Sequence, residues 1–203
     1  GTGSALTWPG QTEGVYEVVA SIGSSGLSEN MNGRAIVIED PLPVVTFGYG
    51  FDKTISIDSG IVAGTQDLLN FPMLVSIPAD NDLRTTGNGG NVLNNNGYDI
   101  VFTDEYYNPI PFERISYDPE TGAYSAWVNV PLIYYDTDSH IHMLYGKSGI
   151  TTDHSSKETW SSGYVQVMHL DGDFTDASLT GNYGLNDGTF DTIGKLGSAR
   201  SFD

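Results

Sequence analysis

The chain has 203 residues, enough for one large domain or two small ones with a buried core. Its 8 lysines and arginines against 26 aspartates and glutamates give a formal charge of −18, which argues against nucleic acid and anionic membrane surfaces as direct partners. The lack of cysteine excludes disulfides and thiolate chemistry. No apolar run approaches the roughly 20 residues that span a bilayer, so no transmembrane segment is predicted.

Residues 1–43 predict two strands followed by a linker. Residues 1–4 are typical of a cloning remnant. Strands are predicted at residues 15–22 and 34–38, and the Pro-Leu-Pro at residues 41–43 marks a linker because proline donates no hydrogen bond to a sheet. The pattern G-x-Y-x-V-x-A in this stretch resembles the last strands of a bacterial Ig-like or PKD-like repeat, and implies the C-terminal end of such a repeat.

Short strand-like runs separated by Gly, Asn, Asp and Pro turns dominate residues 44–155. They recur without a helical stripe at residues 44–51, 53–57, 71–77, 99–102, 112–117, 123–130 and 140–145. This pattern is typical of an antiparallel sandwich. The predicted fold class is therefore all-β, an antiparallel β-sandwich of jelly-roll-like kind with partial β-domains on either side.

Four sequence blocks in this central part carry a family resemblance. In chain order they are FPMLVSI, GYDIVFTD, AYSAWVNVPLI and HIHMLYGKSG. Their order resembles the DUF2341 family, whose domains occur in large bacterial envelope and secreted proteins and have no established reaction. The resemblance covers about residues 48–149 and implies a DUF2341-like sandwich over residues 44–155.

The alternation of residue types also predicts the core of this sandwich. Trp127 lies between Ala126 and Val128, so it faces the opposite side of its strand and both sides must be covered. The side chains expected to be mostly buried are Phe71, Leu74, Val101, Phe112, Trp127, Val128, Leu132 and Met143.

Residues 156–203 differ in character from the central part. The motifs D-x-S, N-x-G and GKLG-x-A-x-SFD resemble the N-terminal part of a concanavalin A-like, laminin G-like domain, and the resemblance implies that such a domain starts here. A strand is predicted at residues 165–170. Because a bare apolar strand invites aggregation, we expect it to pack against another sheet through Val167 and His169 or through Val165 and Met168.

Catalytic motifs are absent from the sequence. It contains no G-x-S-x-G, no H-E-x-x-H, no Walker loop and no G-x-G-x-x-G after a strand, so we predict that the protein is not an enzyme and has no catalytic residues. His140 and His142 share one face of a predicted strand, which is a spacing that binds metal ions. A half-exposed structural pair explains the same spacing and is the interpretation that we favour.

Three Asp-x-Asp pairs are candidate metal sites. Such pairs at the mouths of loops share hard cations such as Ca²⁺, and the alternative is a set of solvated turn carboxylates in an acidic protein. None of them completes an EF-hand. The predicted cofactor is Ca²⁺ or none, and the candidate ligands are Asp80, Asp82, Asp136, Asp138, Asp171 and Asp173.

Several tyrosines are candidates for ligand binding, because a flat apolar ring with a polar tip suits a pyranose ring. The candidates are Tyr106, Tyr107, Tyr134 and Tyr135. Tyr106 and Tyr107 follow Asp104 in a predicted turn and are the stronger candidates for exposure. Trp127 is assigned to the core instead.

These observations predict a non-catalytic module of a large bacterial cell-surface or secreted protein of adhesin type, located outside the cell or on its surface. It would act as a structural spacer that contacts a glycan or a surface protein, beside neighbouring domains of the same chain. The alternative is a carbohydrate-binding accessory domain of a polysaccharide-degrading enzyme. An aromatic patch beside a groove would favour carbohydrate binding, and two close carboxylates in a deep cleft would favour an enzyme.

Overall fold

The computed structural model describes residues 46–161, 163–194 and 197–202. The predicted Ig-like strands and linker, residues 1–43, lie outside these residues. The sandwich lies within residues 48–203, which form one compact unit. In the described part of the chain, no helix is long and apolar enough to cross a membrane.

Six strands form the sandwich: β1 (Phe51–Ile57), β2 (Leu68–Ile77), β3 (Val101–Asp104), β4 (Phe112–Tyr117), β5 (Tyr124–Ile133) and β6 (Ser139–Tyr145). Sheet A has the order β1-β6-β3 and sheet B the order β2-β5-β4, and all pairings are antiparallel. A hairpin of β7 (Phe190–Ile193) and β8 (Ser198–Ser201) follows. Single 3-10 turns lie at Thr46–Gly48, Ser59–Ile61, Thr86–Asn88 and Lys157–Thr159. The predicted all-β antiparallel sandwich is confirmed.

The core lies between the two sheets, and the alternation of β5 shows why. Tyr124, Ala126 and Val128 are fully buried on one face of this strand, whereas Trp127 on the other face is half-buried. Phe102 of β3 in sheet A meets them, with its ring centroid 6.0 Å from that of Tyr124. A period of two residues therefore puts alternate side chains of β5 into the core.

A buried carboxylate holds the long β2–β3 connection against the sandwich. Asp99 is fully buried and accepts hydrogen bonds from the backbone N–H groups of Leu93 (2.8 Å), Asn94 (3.0 Å) and Gly146 (3.2 Å). Since a buried polar group is tolerated only where hydrogen bonds compensate it, this arrangement fixes the end of the connection next to β3 and β6.

The predicted core is correct in its centre and wrong at its margin. Phe112, Val128 and Met143 are buried as predicted, and the half-buried members of the set are Leu74, Val101, Trp127 and Leu132. Phe71 is 42% exposed, so its predicted burial is wrong. It pairs with the buried Val130, but β2 is an edge strand of sheet B and leaves Phe71 open to solvent on its free side.

Candidate functional site

The outer face of sheet B, which points away from the core, is covered by chain that follows the sandwich. Trp127 on β5 and Glu113 on β4 are direct partners in the antiparallel register, so their side chains are neighbours on this face. The ring of Trp160 lies 5.4 Å from that of Trp127 and is itself 5% exposed. The expectation that both sides of this strand are covered is thereby met, although Trp127 belongs to the outer side.

Glu113 connects the sheet to the chain that covers it. Its Oε2 accepts hydrogen bonds from Nε1 of Trp160 at 2.7 Å and from Nε2 of His169 at 3.0 Å. The hydrogen bond to Glu113, which outweighs the effect of burial, raises the pKa of His169 above its ordinary value. Glu113 therefore favours the protonated form of His169.

Residues 164–182, here called the covering segment, are held together by a second carboxylate. Asp176 is fully buried and accepts hydrogen bonds from the backbone N–H groups of Val167 (2.8 Å), Ser178 (2.9 Å) and Asn182 (2.7 Å). Desolvation opposes ionisation of Asp176, but these donors outweigh it and lower its pKa. The segment is therefore an ordered loop built around an ionised side chain.

The predicted strand at residues 165–170 is wrong, because no strand forms there. The N–H of Val167 donates a hydrogen bond to Asp176, and Leu170 has a left-handed backbone with φ of 58°. Residues 165–170 therefore lack the extended backbone and the free N–H groups that pairing with another strand requires. Its packing follows one of the two expected arrangements in part: His169 faces sheet B, whereas Val165 is 70% exposed.

A cleft of about 520 Å³ lies between the outer face of sheet B and the covering segment. We call it the sheet B cleft, and its lining includes Glu113, Ile115, Trp127, Lys157, Met168, His169, Asp171, Asp173 and Asp176. A break in register between Arg114 and Ser116 leaves Ile115 as the extra residue of a bulge in β4. The volume falls within the range of about 300–1,000 Å³ that is usual for ligand sites.

Two of the predicted metal ligands, Asp171 and Asp173, lie exposed at the mouth of this cleft. Oδ1 of Asp171 accepts a hydrogen bond from the N–H of Ser198 at 2.8 Å, and Oδ1 of Asp173 accepts one from the N–H of Thr175 at 2.9 Å. The hydrogen bond from the N–H of Thr175 lowers the pKa of Asp173, which is therefore ionised at neutral pH.

The other two Asp pairs lie elsewhere. Asp80 forms an ion pair with Nζ of Lys53 at 2.6 Å, and Asp82 lies 3.6 Å from the same nitrogen. Asp138 accepts hydrogen bonds from the N–H and Oγ of Ser59, while Asp136 is exposed. Among the described residues, no group of three or more His, Cys, Asp or Glu side chains is placed to hold a metal ion. The calcium site stays a hypothesis.

The structure separates the four candidate tyrosines. Tyr106 and Tyr134 line a small cleft of about 90 Å³ beside His140, which we call the Tyr106 cleft. Tyr106 is 74% exposed there. Tyr135 is 40% exposed and does not line this cleft.

Tyr107 lies on the outer face of sheet A in a cluster of its own. Its hydroxyl donates a hydrogen bond to Asp52 at 2.7 Å, and its ring stacks on His142 with 4.2 Å between centroids. Nδ1 of His142 lies 3.0 Å from the same carboxylate. Burial, followed by the hydrogen bond to Asp52, raises the pKa of Tyr107 to about 12. Tyr107 and His142 thus form a packed polar cluster, and His140 points to a different site.

The sequence analysis does not identify Glu113 and Trp160 as site residues, and it assigns His169 only a packing role. The hydrogen bond between Glu113 and His169 joins positions 56 residues apart, and no local pattern reports such a pairing. One signal was available: Trp127 alternates with buried neighbours, which places it on the outer face beside whatever follows the sandwich.

The fold and the site define a class of protein. It is an antiparallel β-sandwich with a cleft on the outer face of one sheet, and the segment that follows the sandwich forms one wall of that cleft. Residues 96–183 match the family model described as domain of unknown function (DUF2341), in agreement with the resemblance of the four sequence blocks. The match begins and ends later than the predicted limits, residues 48–149, and it includes β4, β5 and the covering segment. Comparisons with curated proteins and with solved structures gave no match.

Proposed function

We propose that this chain is a non-catalytic, carbohydrate-binding module of a large bacterial cell-surface or secreted protein of adhesin type, and that the sugar binds in the sheet B cleft. The observation that carries this proposal is the position of Trp127. Its side chain lines a cleft of about 520 Å³ in which charged and hydrogen-bonding groups from the opposite wall converge.

The chemistry of the lining suits a sugar ring. A pyranose has an apolar face that packs on an aromatic ring, and hydroxyl groups around its rim that need hydrogen-bond partners. Trp127, Ile115 and Met168 supply apolar surface, while Glu113 and Asp171 supply carboxylate oxygens. Such a mixture of apolar walls and a few polar groups is common in small-molecule sites.

The site is built on supported elements. Trp127 and Glu113 project from paired strands of sheet B, and the opposite wall is fixed by the hydrogen bonds of Asp176. A preformed cleft loses less conformational entropy when a ligand binds than a mobile loop does. These supports favour binding in the sheet B cleft over binding in the Tyr106 cleft of about 90 Å³.

A carbohydrate-binding accessory domain of a polysaccharide-degrading enzyme would use the same cleft in the same way. The two candidates differ in the protein to which the module is attached, and both require glycan binding without hydrolysis. Incubating the chain with any glycan that it binds, and measuring released reducing ends, separates them from a catalytic role: steady release would contradict the non-catalytic assignment.

The test of the proposal is a glycan array that contains neutral, acidic and basic glycans, probed with the wild-type chain, Trp127→Ala and Tyr135→Ala. Tyr135 is the matched control because it is an aromatic residue 40% exposed that does not line the sheet B cleft. We expect binding by the wild type and by Tyr135→Ala, and loss of binding by Trp127→Ala under conditions in which circular dichroism shows that the variant is still folded. No binding to any glycan, or full binding by Trp127→Ala, would contradict the proposal.

A further inference from the structure

We infer that the sheet B cleft prefers glycans that carry free amino groups to neutral glycans, and neutral glycans to acidic ones. This inference rests on the proposed function and adds the chemical class of the ligand to it. The tryptophan and the cleft define the site, and the charged groups around the cleft define which sugars it accepts.

The permanent cations near the cleft are engaged by protein groups. Nζ of Lys157 donates a hydrogen bond to the backbone carbonyl of Asp176 at 2.7 Å and lies over the ring of Tyr183. Arg114 pairs with Asp153 and lies over the ring of Tyr98 at 4.8 Å. An incoming carboxylate or sulfate group would have to displace Asp153 to bind Arg114, and it would have to share the ammonium group of Lys157 with the carbonyl of Asp176.

Histidine offers little more to an anion. Nε2 of His169 is directed at Glu113 at 3.0 Å, so its positive charge is neutralised within the wall of the cleft. Arg200, whose charge contributes to lowering the pKa of Asp173, is bound to Asp191 through Nη1 at 2.9 Å and lies over the ring of Phe174. Among the described residues, Lys157 is therefore the only cation in the lining of the cleft without a carboxylate partner, whereas Arg114 and His169 each have one.

The carboxylates at the mouth are in the opposite situation. Asp171 and Asp173 are exposed, and within the described ranges neither forms an ion pair with a cation. Asp171 accepts a backbone hydrogen bond from Ser198, and Asp173 accepts hydrogen bonds from the N–H and the side chain of Thr175, so other lone pairs of these exposed carboxylates are left for a ligand. A protein with a formal charge of −18 also repels acidic polymers at long range.

An amino sugar meets both requirements of this site. Its ring packs on Trp127, and its ammonium group binds a carboxylate at the mouth by a charge-assisted hydrogen bond. The chemical class is thus a hexosamine polymer with free amines, bound without any covalent step. Exposed ion pairs contribute modestly, so we expect the two aspartates together to raise affinity about three- to tenfold over a neutral sugar.

The experiment is calorimetric titration of the full 203-residue chain with three β-1,4-linked tetramers that share one backbone: glucosamine, glucose and glucuronic acid. At about pH 5.5 and low salt, the amines are protonated and the aspartates are ionised. We expect the glucosamine tetramer to bind about three- to tenfold more tightly than the glucose tetramer, and the glucuronic acid tetramer to bind most weakly. Added salt should reduce the difference.

The variant Asp171→Asn/Asp173→Asn should bind the glucosamine and glucose tetramers equally. Asparagine keeps an oxygen that accepts the backbone hydrogen bonds, so folding is preserved. The control variant Glu120→Gln/Asp136→Asn removes the same charge at two exposed positions outside the cleft and should keep the preference. Equal binding of all three tetramers by the wild type, with loss in Trp127→Ala, overturns the charge preference and leaves the proposed function standing. If none of the three tetramers binds, both the charge preference and the proposed glycan binding are overturned for β-1,4-linked glycans.

Discussion

Replacing Glu113 should release the covering segment from sheet B. Glu113→Ala removes the hydrogen-bond acceptor of Trp160 Nε1 and the hydrogen-bond partner of His169. Trp160 is only 5% exposed, so its indole N–H cannot readily turn to solvent instead. Hydrogen bonds to a charged group contribute about 1.5–3 kcal/mol, but the side chains of Glu113 and His169 are 22% and 29% exposed, so solvent screening places this pair at the low end. We expect a local loss of about 2–3 kcal/mol for Glu113→Ala and about 1 kcal/mol for Glu113→Gln, which keeps an acceptor for Trp160.

The same contact should make the covering segment sensitive to pH. The pKa of His169 is raised in the folded state, so its contribution to stability is complete below the ordinary histidine pKa of about 6.5 and is lost as the pH rises through the raised value. The wild-type segment should therefore open more readily at about pH 8.5 than at about pH 6. Glu113→Gln lacks the negative charge and should show a smaller difference.

Native-state hydrogen exchange measures this opening at the segment itself. The amide of Ala177 donates to the carbonyl of Val167 at 2.8 Å, and the amide of Val167 donates to Asp176 at 2.8 Å, so both report on its order. Glu120→Ala, at an exposed position, is the control. Unchanged exchange of these two amides in Glu113→Ala, or the same pH response in Glu113→Gln as in the wild type, would refute the anchoring role of Glu113.

Three further outcomes follow from the structure. Asp99→Ala leaves three backbone N–H groups without their acceptor, so the free energy of unfolding measured in urea should fall by about 3 kcal/mol or more. A loss below about 1 kcal/mol, which is typical of an ordinary surface substitution, would contradict this role of Asp99. Tyr107→Phe loses the bond to Asp52 but keeps the stack on His142, so its cost should stay at about 1 kcal/mol, and a cost several times larger would show that the hydroxyl holds the cluster. A tight calcium site would stabilise the fold by about 2.7 kcal/mol when Ca²⁺ is in hundredfold excess over Kd. Adding millimolar Ca²⁺ to the EDTA-treated protein should then raise its melting temperature by roughly 5–10 °C, and an unchanged melting temperature contradicts the calcium hypothesis.

The sandwich was predictable because its information is local. Alternation in β5 places Ala126 and Val128 on one face and Trp127 on the other, whatever the rest of the chain does. The exposure of Phe71 was not predictable in the same way, because alternation gives the face of a strand but not whether the strand lies at the edge of its sheet.

The site was less predictable because it depends on contacts between distant positions. The candidate tyrosines share a residue type, yet Tyr107 packs on His142 while Tyr106 lines a separate cleft. Asp171 and Asp173 were identified as carboxylates at a turn, but their place at the mouth of the sheet B cleft follows from how the covering segment folds around Asp176. The spacing of residues along the chain predicts neither the separation of these tyrosines nor the position of these aspartates.

The central claim is that a glycan binds in the sheet B cleft, and chemical-shift mapping tests it most directly. The ¹⁵N-labelled chain would be titrated with the tightest-binding glycan from the array. We predict that the indole N–H of Trp127 and the amides of Glu113 and residues 168–177 shift together and saturate. Saturating shifts confined to the Tyr106 cleft, or no shifts at millimolar glycan, would contradict the account.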